Sequence, residues 1–175
     1  MSKIRTNLYL GSANNIKSII KNPDCDGFTI FSCAKESSTK HDYKIGMNDG
    51  YNKNVSTMFD EAVDYIKQKL DEDKKLFVHC MAGISRSASV IIYYLMKYEG
   101  YTYEDAYTEV KDLRPVIKPN RFFEKHLRAV EKGIVCSSSD ESPSCDLDKI
   151  NDLSTTHCLD KTDSLELVDK LVDPV

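Results

Sequence analysis

Cys80 and Arg86, separated by five residues, are the pair in this chain best equipped for covalent chemistry. The segment His79-Cys80-Met81-Ala82-Gly83-Ile84-Ser85-Arg86-Ser87 follows a short apolar run, Lys75-Leu76-Phe77-Val78. It precedes a helical pattern from Ala88 to Tyr98. A strand that ends at a cysteine and yields to a helix within a few residues aims backbone N–H groups and the positive end of a helix dipole at one point. A phosphate group suits that point, and a thiolate at its floor is stabilised by the same field. A free thiol, with a pKa near ~8.5, is mostly protonated at neutral pH, but helix N-termini and nearby cations lower such values to ~3.5–7.5. Cys80 is therefore expected to attack as a thiolate. Arg86 offers a planar fork for two phosphoryl oxygens. The backbone N–H groups of Met81, Ala82, Gly83, Ile84, Ser85 and Arg86 are expected to cradle the rest, with Gly83 supplying the backbone freedom. Ser87, with Ser85 as second choice, is expected to hydrogen-bond the thiolate and help it leave.

Transfer of a phosphoryl group to sulfur needs mainly positioning and charge stabilisation. The departing alkoxide or phenoxide also needs a proton. Asp49, in Met47-Asn48-Asp49-Gly50, is the preferred acid, because a loop after a strand can fold over the phosphate cup. The same carboxylate would later activate water. Asp42 and Asp60 are the alternatives, and Asp60 falls on a helical pattern whose polar side reads as a solvated face.

The elements that must carry these residues can be read from periodicity. Ile4 to Leu10 alternates loosely and ends at Gly11-Ser12, which predicts a strand and a turn. Ser12 would cap a short helix reaching Lys21, stopped by Asn22-Pro23. Phe28 to Cys33 reads as a buried strand, Asp42 to Met47 as a weaker one and Leu76 to Val78 as a short one. Apolar residues recur at helical spacing from Val55 to Leu70. Ser87 to Tyr98 is apolar on most faces and should be a central, buried helix ended by Gly100. Thr102 should cap a helix to Leu113, and Pro119 should open a last helix to Lys132. The fold class is α/β: a central mixed sheet flanked by helices.

Composition sets the organisation. A chain of 175 residues, 41% hydrophobic and 30% charged, suits one ordinary globular domain. Residues 137–175 hold ten Asp/Glu against three Lys, whereas residues 1–136 hold 18 acids and 21 Lys/Arg. The predicted division is a catalytic domain at 1–135 and an acidic Ser/Thr-rich tail at 136–175. The Ser137-to-Ser144 run is too polar to order itself, and a short helix is an option between Leu159 and Val172. The domain's mild positive balance suits anionic substrates but is too weak for nucleic acid. No apolar stretch reaches the ~18–20 residues of a membrane span. Met1 to Thr6 lacks a signal-peptide core, and Ser2 stands where myristoylation needs glycine. Six scattered cysteines without a framework fit reduced thiols in the cytoplasm, with the nucleus as a second option. No CxxC or HxxxH pair points to zinc.

The segment from His79 to Ser87 resembles the HCxAGxSRS signature of the cysteine-based protein tyrosine phosphatases, and specifically their small dual-specificity branch. Asn7-Leu8-Tyr9-Leu10-Gly11, Met47-Asn48-Asp49 and Tyr94-Leu95-Met96 resemble that branch's opening strand, acid loop and buried helix. Arg114 to Asn120, followed by Phe122 or Phe123, resembles its late helical turn, so the likeness runs over about residues 4–132. It implies a dual-specificity phosphatase fold and hydrolysis of phosphotyrosine and phosphoserine/threonine proteins through a phosphocysteine, with no metal or cofactor. Cys80 becomes the nucleophile, Arg86 the phosphate binder and Asp49 the acid. Ser87 assists thiolate departure, His79 orients the loop and Asn120 braces it. Some members carry a cysteine at the place of Cys33 that forms a reversible disulfide with the nucleophile. Two other readings use the same residues: a hydrolase of non-protein phosphates such as phosphoinositides, glucan or RNA 5′-phosphates, and a phosphoresidue-binding pseudophosphatase.

Overall fold

Apolar runs without alternation mark strands covered on both faces, and two such runs form the middle of the sheet. The computed structural model describes residues 1–21 and 27–133. Its elements are β1 (Ser2–Arg5), β2 (Leu8–Ser12), α1 (Asn14–Lys21), β3 (Phe28–Ala34), β4 (Tyr43–Met47), α2 (Val55–Asp71), β5 (Lys75–Cys80), α3 (Arg86–Glu99), α4 (Tyr103–Leu113) and α5 (Arg121–Glu131). The sheet runs β1-β2-β5-β3-β4, antiparallel only between β1 and β2. It is the expected mixed sheet. Ser12 pairs with Cys80 and Ser32 with His79, so β5 delivers Cys80 at the carboxyl ends of its parallel neighbours. That edge is where open α/β sheets bind ligands.

The two faces are covered unequally. Ile16 and Ile19 of α1 meet Ile30 and Phe77 in a small cluster. The larger core joins Phe31, Leu76 and Val78 of the strands to Phe59 and Ile66 of α2, Val110 of α4 and Phe123 and Leu127 of α5. α3 lies within it: every residue from Arg86 to Leu95 is buried. A helix apolar all round must be central, as its sequence predicts. Gly100, with φ 73°, ends it in the left-handed conformation.

Three expectations need correction. Ile4 to Leu10 is not one strand but the two arms of a hairpin, because Asn7 turns at φ 63° and Gly11-Ser12 continues β2. Asparagine tolerates that backbone region through its short polar side chain. Ser12 does not cap α1; its N–H instead donates to Asn15 Oδ1 (3.0 Å). The last helix opens at Arg121 rather than Pro119, since the Asn120 side chain accepts the Phe123 N–H (2.9 Å) and so acts as its N-cap. Thr102 caps α4 as expected. The tail boundary at 136 and the helix considered between Leu159 and Val172 lie outside the described residues.

Candidate active site

The loop from Cys80 to Ser85 has its carbonyls held from outside. The Ala13 N–H donates to Cys80 O (2.9 Å) and Met81 O (3.1 Å). The Arg114 guanidinium donates from Nη2 to Ala82 O (3.4 Å) and from Nε to Gly83 O (2.8 Å). Lys118 N–H takes Ile84 O (2.9 Å), and the N–H and hydroxyl of Ser89 take Ser85 O (2.8 and 2.9 Å). With these carbonyls anchored outward, N–H groups are free to face the sulfur. Gly83 N–H reaches Cys80 Sγ at 3.3 Å. Gly83 has φ +67°, and a Cβ there would stand 2.4 Å from Gly11 O, so the bend needs glycine twice over. The sequence reading placed Arg114 in the segment that resembles the late helical turn but gave it no role at the loop; a cation just before a proline turn was the available signal.

Cys80 is buried, and Ser87 Oγ donates to its sulfur at 3.2 Å. Burial pushes the thiol's pKa up, but the Ser87 hydroxyl and the N–H groups of Ser87, Gly83 and Ile84 outweigh it and hold the value below the ordinary range. Ser85, the second choice for this role, points elsewhere: its hydroxyl donates to Asp49 Oδ1 (2.7 Å). Ser87 stands inside α3, so its hydroxyl is free for the sulfur and does not cap the helix.

Arg86 is 4% exposed. Its Nη1 and Nη2 form a two-pronged ion pair with Glu36, both at 2.6 Å, and Nη1 also reaches Met47 O (3.2 Å). Nε has no hydrogen-bond partner and lies 3.9 Å from Asp49 Oδ2. The end of the guanidinium is thus occupied, while its Nε is buried without a partner. Glu36 was not singled out from the sequence, because a lone glutamate after a strand carries no motif.

Asp49 stands at the mouth with its side chain 46% exposed. Oδ1 accepts from Ser85 Oγ and from Asn120 Nδ2 (2.9 Å). Asn120 also donates its backbone N–H to Ser85 Oγ (3.1 Å). It therefore caps α5 with its oxygen and contacts the loop and Asp49 with its nitrogens. The alternative acids are engaged elsewhere: Asp42 accepts the Ile30 N–H (2.7 Å), and Asp60 accepts from Tyr93 and Lys97. His79 is fully buried, stacks on Phe77 and brings Nδ1 to 3.2 Å from Cys80 O, while burial pushes its pKa down. Cys33 follows Ser32 as Cys80 follows His79, on the neighbouring parallel strand. Its thiol pKa is pushed well up, by burial first and then by the charge of Cys80.

Among the described residues no group of three or more His, Cys, Asp or Glu is placed to hold a metal ion, and no helix is long and apolar enough to cross a membrane. Residues 8–133 match the model of the dual specificity phosphatase catalytic domain. Mouse dual specificity protein phosphatase 8 is 33% identical over 143 residues, covering 77% of this chain but 21% of its own length. The Arabidopsis thaliana dual specificity protein phosphatase 1 is 33% identical over 141 residues, covering 78% of this chain and 71% of its own. The chain therefore spans about a fifth of the first relative and most of the second. The crystal structure of human tyrosine phosphatase-like serine/threonine/tyrosine-interacting protein superposes with a TM-score of 0.66 at 29% identity, over 75% of this chain and 95% of that one.

Proposed function

Because the chain belongs to the dual specificity phosphatase family through a catalytic domain at residues 8–133, we propose that it hydrolyses phosphotyrosine and phosphoserine/threonine in proteins through a phosphocysteine intermediate. The Cys80 thiolate attacks phosphorus, and the bond from phosphorus to the substrate oxygen breaks. Asp49 gives its proton to that oxygen as it departs. The inward N–H groups of the loop and the unpartnered Nε of Arg86 hold the non-bridging oxygens, where charge builds in the transition state. Asp49, now a carboxylate, takes a proton from water as the water attacks phosphorus. The phosphorus–sulfur bond breaks, and the Ser87 hydroxyl receives the returning thiolate with its hydrogen bond. Every charge in this cycle is met by a donor of the chain itself, so the proposal requires no metal. It requires a reducing compartment, the cytoplasm by the cysteine usage, because only a free thiolate attacks.

The observation that carries this reading is the pair of donors on Cys80 Sγ, Ser87 Oγ and Gly83 N–H, beside a buried arginine whose Nε has no partner. The test is a pair of variants assayed on phosphotyrosine and phosphothreonine peptides. Cys80→Ser should abolish turnover and still retain phosphopeptide. Asp49→Ala should slow the alkyl phosphoester far more than an aryl phosphate, by the 10²–10⁴-fold typical of general acids. Turnover surviving in Cys80→Ser would refute the mechanism.

A further inference from the structure

The loop that presents Asp49 contains a buried side chain that the catalytic cycle does not use. Asn52 is 6% exposed, and its amide is spent on the backbone of its own loop. Oδ1 accepts the Asn48 N–H (2.9 Å), while Nδ2 donates to Asn48 O (3.1 Å) and Gly50 O (2.9 Å). These three bonds close a ring around Asp49. The ring is then fastened to the start of α5 at two points. Asn120 Nδ2 holds the Asp49 carboxylate (2.9 Å), and the Tyr51 ring meets Phe122 edge-on, with centroids 5.4 Å apart at 63°. Tyr51 is 72% exposed, so the core does not hold it.

A connection of this kind, with a glycine and no regular structure, would otherwise sample many conformers, at a cost of about 1–2 kcal/mol for each residue fixed. Asp49 could then meet a leaving oxygen only in a fraction of encounters, and the rate of the acid-dependent step would fall by that fraction. The Asn52 ring removes that freedom before substrate arrives.

We propose that Asn52 is a positioning residue for the general acid: it holds the Asp49 loop in its working arrangement with no substrate bound, so that protonation of the leaving oxygen needs no loop closure. The proposal rests on Asp49 being the acid. Its signature is selective, since an aryl phosphate with a good leaving group hardly needs the proton, whereas a phosphoserine or phosphothreonine does.

The experiment compares wild type, Asn52→Ala, Asp49→Ala and the double variant on p-nitrophenyl phosphate and on a phosphothreonine peptide, with a thermal melt for each. Asn52→Ala should lower kcat on the peptide about tenfold and on the aryl phosphate less than about twofold, with KM little changed. In the Asp49→Ala background it should do nothing further, because there is no acid left to place. Asn52→Asp keeps the bond from the Asn48 N–H but turns a carboxylate oxygen toward the Asn48 and Gly50 carbonyls, so it should show the same selective loss even if the alanine variant is too unstable to assay. Equal losses on both substrates, or a further loss on top of Asp49→Ala, would overturn the role given to Asn52. An Asp49→Ala variant that ignores the leaving group would overturn the acid assignment as well.

Discussion

Glu36 is the residue whose replacement reports most directly on how Arg86 is aimed. A guanidinium has two edges able to grip an anion in two places: the end, made of Nη1 and Nη2, and the side, made of Nε and Nη2. Glu36 holds the end with two contacts of 2.6 Å. The Nε side has no hydrogen-bond partner. In Glu36→Gln the size is kept, one oxygen still accepts, and the other position becomes an N–H facing an N–H. The loss can be bracketed. Hydrogen bonds to charged groups contribute about 1.5–3 kcal/mol, and exposed ion pairs about 0.2–1 kcal/mol. Arg86 is buried but Glu36 is 51% exposed, so solvent screening keeps the value between those ranges, near about 1.5 kcal/mol.

An opposing effect exists. The carboxylate repels an incoming phosphate dianion across the guanidinium, by about 1.2 kcal/mol for one charge against two at about 7 Å in near-aqueous dielectric. Positioning exceeds repulsion only slightly, and the net of about 0.3 kcal/mol predicts a fall in kcat/KM of less than about twofold, borne mainly by KM because Arg86 already grips the phosphate in the ground state. Glu36→Ala removes both contacts and should lose about tenfold. The Arg86 hydrogen bond holds the Glu36 carboxyl below its usual range, so the ratio between wild type and variant should not vary between pH 5.5 and 7.5, an interval that begins about one unit above the ordinary carboxyl pKa. The assay is steady-state hydrolysis of p-nitrophenyl phosphate, with competitive inhibition by vanadate as a second measure of anion binding. An unchanged or lowered KM in both variants would mean that repulsion governs and that Glu36 does not aim the arginine.

Two further outcomes follow from the same site. Ser87→Ala removes one of the donors that lower the Cys80 pKa, so the acidic limb of the kcat/KM profile should move to higher pH; a limb that stays in place would show that the backbone donors suffice. Hydrogen peroxide should convert the Cys80 thiolate to a sulfenic acid, which condenses with the Cys33 thiol, losing water, to leave a Cys33–Cys80 disulfide. Non-reducing peptide mapping should find that bond, dithiothreitol should restore activity, and Cys33→Ser should be inactivated irreversibly. Recovery of Cys80 only as sulfinic or sulfonic acid from the wild type would count against it.

The sequence disclosed those parts of the site that lie within one stretch of chain. Cys80, Gly83, Arg86 and Ser87 occupy a single strand-to-helix junction, and their geometry follows from local rules about glycine, helix termini and thiols. The buried α3 was legible for a similar reason, since a helix apolar on most faces has only one place to go. What stayed hidden acts from a distance. Arg114 holds the Ala82 and Gly83 carbonyls from the turn beyond α4, and Glu36 holds Arg86 from the loop beyond β3. Neither has a spacing that periodicity detects, because their partners are set by strand order rather than by neighbours in sequence. The missed hairpin at Asn7 is the local counterpart: loose alternation continues across a two-residue turn, and only the positive φ of an asparagine breaks it. Ser85 shows why residue type alone could not settle a role. Two serines two residues apart are both candidates for the thiolate on paper, with Ser87 preferred. In the fold, Ser87 lies within α3 and turns its hydroxyl to the sulfur, whereas Ser85 precedes the helix and gives its hydroxyl to Asp49. The division matters for the chemistry, because it gives the nucleophile and the acid separate donors: a change at one serine should shift the thiol's titration and a change at the other the acid's placement.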